Sequence, residues 1–145
     1  MFEGADASRP PDDGSRKLEI RTILVVEDER DVQGVIDLSL RLIGKFDVTS
    51  VTDFAAATDA IEKRCPDLIL LDRMLPDKDG LDVCRHFKSG AKTKEIPIVF
   101  LSARSDPADI RAGMDAGASG YITKPFDPVV LADRIKAIFG DATTK

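Results

Sequence analysis

Five polar residues stand directly behind short apolar runs. Glu27 and Asp28 follow ILVV (23–26), Asp72 follows LILL (68–71), Ser102 follows IVFL (98–101) and Lys124 follows YIT (121–123). Three carboxylates brought together would repel one another and raise one another's pKa. A hard divalent cation relieves that repulsion, and Mg2+ is typically held by one or two carboxylates plus waters and phosphate oxygens. A lysine adds a second positive charge suited to a phosphoryl oxygen, and a serine adds a small hydroxyl donor. Such a set suits phosphoryl transfer, which depends mostly on positioning and charge neutralisation; a nucleophilic aspartate would become an acyl phosphate. Taken singly, each residue has an ordinary explanation. Asp72 could cap a turn, Glu27 and Asp28 could start a helix, Ser102 could sit in a turn and Lys124 could be a solvated strand end.

The elements that would position these residues are legible in the periodicity. Apolar runs at 23–26, 48–51, 68–70, 98–101 and 121–123 alternate with stretches whose apolar residues recur three and four apart. The first such stretch has Val32, Val35, Ile36, Ser39, Leu42 and Ile43, and the last has Val130, Leu131, Ile135 and Ile138. Strand followed by helix, five times over, implies an α/β fold: a parallel sheet with helices on both faces. In such a sheet all strand C-termini share one edge, where ligands collect. The five polar residues therefore converge. Gly44, Gly90 and Gly117 suit helix ends, and Asp106-Pro107 and Asp127-Pro128 suit helix starts.

Composition narrows the function classes. The chain has 145 residues, enough for one domain, with a net charge of −5. A pI near 4.9 argues against a direct nucleic-acid surface. No apolar stretch reaches membrane-span length and the start has no signal-peptide core, so a cytoplasmic protein without membrane contact is expected. Cys65 and Cys84 form no metal or redox spacing and are expected as buried or half-buried thiols. His86, the single histidine, excludes a multi-histidine metal site. Residues 1–19, with Pro10-Pro11 and mixed charges, read as a flexible extension, 20–140 as the domain, and 141–145 as a polar tail.

The motifs VVEDE (25–29), LLDRMLPDKDG (70–80), FLSA (100–103) and YITKPF (121–126), with the intervals between Asp28, Asp72, Ser102 and Lys124, resemble the receiver domain of two-component response regulators. The resemblance covers roughly Arg21 to Gly140 and is chemotaxis-receiver-like. It implies a (βα)5 flavodoxin-like three-layer sandwich with strand order 2-1-3-4-5, an order that general accounts illustrate with this family. It further implies Asp72 as phosphoacceptor, Asp28 and Asp72 as direct metal ligands with the Met74 backbone carbonyl, and Glu27 acting through water. The metal would be Mg2+, with Mn2+ able to substitute. Lys124, preceding a cis Pro125, would pair with the carboxylate or its phosphate. Ser102 would bond a phosphoryl oxygen, and Tyr121 would be the switch aromatic that moves inward. Positions 74 and 104 influence phosphate lifetime in this family, so Met74 and Arg104 are expected to impede the attacking water. Pro76 and Gly80 fit the tight loop after Asp72, with Asp77 and Asp79 in solvent.

The implied function is a phosphoacceptor switch, not an enzyme beyond self-directed phosphoryl transfer and slow autodephosphorylation. Its donor would be a sensor histidine kinase or a histidine phosphotransfer protein. Phosphorylation would alter the surface of helix four, strand five and helix five, for a downstream protein effector or a phosphorylation-dependent homodimer. The start at Met1 and the short polar end favour a stand-alone receiver. The alternative is the receiver portion of a longer regulator with a DNA-binding or enzymatic output domain. A phosphorylation-independent binding module would be expected to have lost one of the five polar residues. An aspartate phosphohydrolase would need a second carboxylate at position 74, where Met stands.

Overall fold

The computed structural model describes residues 20–139. The expectations for the extension 1–19, Gly140 and the tail 141–145 lie outside the described residues. Five strands, β1 (Thr22–Val26), β2 (Asp47–Val51), β3 (Leu68–Leu71), β4 (Ile98–Ser102) and β5 (Gly120–Thr123), alternate with five helices. These are α1 (Arg30–Leu38, extended by a π-helical turn over Ser39–Ile43), α2 (Phe54–Lys63), α3 (Gly80–Ser89), α4 (Pro107–Asp115) and α5 (Pro128–Ile138). All strand pairs are parallel and the sheet order is β2-β1-β3-β4-β5. This is the flavodoxin-like fold the sequence implies.

Strands β3 and β4 are buried throughout, because helices cover both sheet faces; such strands read as continuous apolar runs. On one face Ile23, Val25, Leu70, Val99 and Leu101 pack with Ile36 and Leu40 of α1 and with Leu131 and Ile135 of α5. On the other, Leu24, Ile69, Leu71, Ile98 and Phe100 pack with Ala57 and Ile61 of α2 and with Val83, Cys84 and Phe87 of α3. Alternate residues of each strand therefore serve opposite cores.

The apolar stripe expected on α1 turns out differently in its second half. Ile36, Ser39 and Leu40 face inward, whereas Val35, Leu42 and Ile43 are exposed, as is Leu38. The last turn is π-helical, closed by the Gly44 N–H on the Ser39 carbonyl at 3.1 Å, and its extra backbone carries Leu42 and Ile43, which lie within it, off the buried face. Ser39 Oγ donates to the Pro128 carbonyl at 2.5 Å, tying α1 to the start of α5. Cys65 is exposed, contrary to expectation, because it lies in the loop just after α2; Cys84 is buried, and both are free thiols. Burial pushes the Cys84 thiol up to about 11, so it behaves as a core residue.

Aspartates fasten the helix starts. Asp53, Asp79 and Asp127 each cap their own helix, accepting from the N–H of Ala56, Leu81 and Val129. Asp77, expected as a free solvated charge, is exposed but engaged: its carboxylate accepts the N–H groups of Phe54 and Ala55 at 3.0 and 3.2 Å. It thus caps α2 from the loop that follows β3. The Phe54 and Ala55 bonds hold the Asp77 carboxyl below its ordinary value of 3.8. A depressed carboxylate stabilises the fold above its unfolded pKa, and that stability is lost as pH falls through the folded value. Asp77→Ala is expected to lower neutral-pH stability by roughly 0.5–1 kcal/mol, at the lower end for an exposed cap. The deficit should shrink toward zero in thermal melts as pH drops below the carboxylate range. A deficit that did not change with pH would rule out the charged cap.

Candidate functional site

At the C-terminal edge of the sheet, β1 ends in Glu27 and Asp28 and β3 ends in Asp72. One carboxylate oxygen from each lies within 4.8 Å of the others. A cleft of about 240 Å³ there is lined by Asp28, Glu29, Asp72, Met74, Ala103 and Lys124. Asp28 is exposed, while Glu27 and Asp72 are buried. Lys124, at the end of β5, reaches across: its Nζ lies 2.8 Å from Glu27 Oε1 and 3.4 Å from Asp72 Oδ2. The Lys124–Pro125 bond is cis. The five residues singled out behind the strands are brought to one edge.

The electrostatics follow from this packing. Burial pushes the Glu27 carboxyl up, against the Lys124 hydrogen bond and the Glu29 N–H, which lower it. Burial alone would depress Lys124, but the bond from Glu27 and the charge of Asp72 reverse this and hold the ammonium above its ordinary value. Three carboxylates against one ammonium leave uncompensated negative charge in a part-buried cleft, and hard oxygen donors of this kind fit a divalent cation such as Mg2+. Asp28 and Asp72 have oxygens facing the cleft. Glu27 already has Oε1 on Lys124 and Oε2 on the Glu29 N–H at 3.1 Å, which suits contact through water.

The loop after β3 is folded back on itself. The Met74 N–H donates to Asp72 Oδ1 at 3.2 Å, and the Gly80 N–H donates to the Arg73 carbonyl at 2.8 Å. A Cβ on Gly80 would lie 2.5 Å from Arg73 Cα and 2.6 Å from the Asp72 carbonyl oxygen, so only glycine lets α3 begin against Asp72.

Ser102 is fully buried at the end of β4; its carbonyl accepts the Lys124 N–H at 2.8 Å and its Oγ accepts the Arg104 N–H at 3.1 Å. Tyr121 lies outside the cleft. Its ring packs on Phe100 at 5.6 Å and its hydroxyl donates to the Arg104 carbonyl at 2.7 Å. Arg104 Nε meets Met74 Sδ at 3.1 Å, so the two side chains join over one side of the mouth. Beside it an apolar groove of about 430 Å³ shares Ala103 and Lys124 and runs along Val32, Val35 and Phe126.

Sequence reasoning missed two participants. Gln33 Nε2 donates to the carbonyls of Glu27 and Val51 at 3.1 and 3.0 Å, pinning the ends of β1 and β2. Its signal was a polar residue within the first helical turns after Glu27. Arg73, which the sequence shows only as a charged residue within the motif 70–80, is buried, with 7% of it exposed.

A doubly covered parallel sheet carrying an acidic cluster, a lysine and a serine at one edge defines a receiver-type signalling module. The sequence profile of the response regulator receiver domain matches residues 23–136, and the chain belongs to that family. The chain is 42% identical over 118 residues to the phosphate regulon transcriptional regulatory protein PhoB of Escherichia coli K12, covering 81% of this chain and 51% of that protein. It is 39% identical over 124 residues to the transcriptional regulatory protein CseB of Streptomyces avermitilis, covering 83% and 51%. The chain spans about half the length of these curated relatives. The BeF3-activated N-terminal receiver domain of Klebsiella pneumoniae RstA superposes with a TM-score of 0.72 at 32% identity, over 83% of this chain and 99% of that one. No helix among the described residues is long and apolar enough to cross a membrane.

Gly80→Ala is expected to destabilise the fold by about 1–3 kcal/mol, since backbone rather than a yielding side chain blocks the new methyl. Chemical denaturation measures this directly; an unchanged midpoint would mean the loop opens without cost.

Proposed function

We propose that the chain is a phosphoacceptor switch of a two-component or phosphorelay system, with Asp72 as the acceptor. The observation that carries this reading is the placement of Asp72 between the acidic pair Glu27–Asp28 and Lys124, in a cleft open to solvent. An Asp72 carboxylate oxygen attacks the phosphorus of a phosphohistidine. The P–N bond breaks as the O–P bond forms, and the electron pair leaves on the imidazole nitrogen, which takes up a proton from solvent. Lys124 neutralises the phosphoryl oxygens, and Ser102 turns its hydroxyl to one of them. Asp28, Asp72 and the Met74 carbonyl would hold Mg2+, or Mn2+ in its place, with Glu27 acting through water. When bound, the ion supplies charge neutralisation of carboxylates and phosphoryl oxygens.

The donor is a sensor histidine kinase or histidine phosphotransfer protein. The apolar groove beside the cleft, with the exposed Val35 on its lining, supports a protein donor that seats its own apolar surface there. Once Ser102 Oγ turns to the phosphoryl group it releases the Arg104 N–H. Arg104 also holds Tyr121, so the ring is freed to move inward and the α4–β5–α5 surface changes. That surface then meets a downstream protein effector or a second copy of the chain. PhoB and CseB are named transcriptional regulatory proteins, which favours a longer regulator with an output domain over a stand-alone receiver. The chain itself makes no direct nucleic-acid contact and acts in the cytoplasm.

Acetyl phosphate with Mg2+ should add one phosphoryl group to the wild-type chain and none to Asp72→Asn by intact mass. Equal gain on both, or none on either, removes the assignment. Met74 and Arg104, touching over the mouth, are expected to slow the attacking water. Met74→Asn or Arg104→Ala should shorten the phosphorylated half-life roughly threefold, about 0.7 kcal/mol of barrier. A time course no faster than wild type would remove their role.

A further inference from the structure

Helix α4 starts differently from its neighbours. The caps of α2, α3 and α5 bond a first-turn N–H through their side chains, but Asp106 at the start of α4 does not. Instead the first turn of α4 is held from the acceptor loop. Arg73, the residue after Asp72, sends Nη1 to the Asp109 carbonyl at 3.2 Å and sits 3.9 Å from Asp109 Oδ1. Arg104 Nη1 lies at the same 3.9 Å from that same oxygen. Neither distance is a hydrogen bond, so the two guanidinium groups share one carboxylate loosely. Arg73 is 7% exposed, and its Nε is buried without a hydrogen-bond partner among the described residues. A buried donor left unmet is costly, and two cations facing one anion leave positive charge beside the acceptor.

We propose that Arg73 and Arg104 exchange their hold on Asp109 when Asp72 is phosphorylated. Arg104 turns to the phosphoryl group, and Arg73 closes a two-pronged pair on Asp109 with Nη1 and Nη2. The coupling rests on the phosphoacceptor reading above. Arg104 is the mobile partner: its side chain is 48% exposed and already lies on Met74 at the mouth of the cleft. Arg73 is enclosed and stays. A dianion at Asp72 attracts the exposed guanidinium, and bidentate arginine–carboxylate geometry is the strong form of the pair left behind. The result draws the first turn of α4 toward the acceptor loop. One turn further along the helix the packing on the sheet is close: a Cβ on Gly113 would lie 2.9 Å from the Tyr121 ring and 3.0 Å from Phe100. Arg73 is thus a positioning residue for the output surface and takes no part in the chemistry at Asp72.

The test uses the full chain, with acetyl phosphate and Mg2+ as the phosphoryl source. Amide hydrogen exchange is followed over residues 108–113, and the Arg73 Nη–H resonances are followed by NMR. Phosphorylation of wild type should slow exchange there roughly tenfold and shift the Nη–H resonances as they gain a two-pronged carboxylate partner. Arg73→Met and Asp109→Asn should take up the phosphoryl group at the wild-type rate yet lose the added protection. Arg73→Lys, which keeps the charge without the fork, should not restore it. Phosphorylation-dependent protection that persists in Arg73→Met or Asp109→Asn, or that returns in Arg73→Lys, overturns the exchange while leaving Asp72 as acceptor. If Arg73→Met does not fold by circular dichroism, Asp109→Asn alone decides. A wild-type chain that gains no phosphoryl group overturns the acceptor reading, and the exchange with it.

Discussion

The ion pair between Lys124 and Glu27 is the constraint around which the edge of the sheet is arranged. A lysine from the fourth strand in spatial sequence from β1's acidic turn must cross the end of β3 to reach Glu27 at 2.8 Å, passing Asp72 at 3.4 Å. Such a reach fixes the register of β1, β3, β4 and β5 relative to one another at their C-terminal ends. It also leaves the cleft with more negative than positive charge. A site in that condition suits a divalent cation, which relieves the repulsion among its carboxylates.

Holding those strand ends still is the task of the loops, and carboxylates do much of it. Asp77 belongs to the loop after β3 yet caps α2, while Asp79 in the same loop caps α3. At the opposite edge Asp67 accepts the N–H groups of Arg21 and Thr22, fastening the start of β1. The loop after β3 is therefore anchored to two helices of one face, and Arg73 reaches from it to a third, α4.

The layered architecture was legible because each buried strand is a short apolar run and each helix restores the longer period. The five polar residues were legible because strand polarity forces them to one edge. What escaped depends on partners distant in sequence. Asp77 looked like one charge among several, since the N–H groups it accepts lie 23 and 22 residues earlier. Arg73 carried no mark of burial, because its partner Asp109 lies 36 residues on. The outward turn of Leu42 and Ile43 came from one π-helical turn, for which a periodic stripe of apolar residues gives no sign. Cys65 was misjudged by residue type alone: cysteines are usually buried, but this one sits in an exposed loop.

The link between Ser102 and Tyr121 runs through the main chain of residue 104: its N–H is bonded to the serine hydroxyl and its carbonyl to the phenol. A connection made of peptide groups is indifferent to the side chain it carries. A substitution at position 104 therefore changes the size and charge of the group beside Met74 without breaking that link. Only proline, which lacks the N–H, is barred. The serine–tyrosine connection and the guanidinium contacts with Met74 and Asp109 thus belong to separate atoms of one residue, and a substitution alters the second without breaking the first.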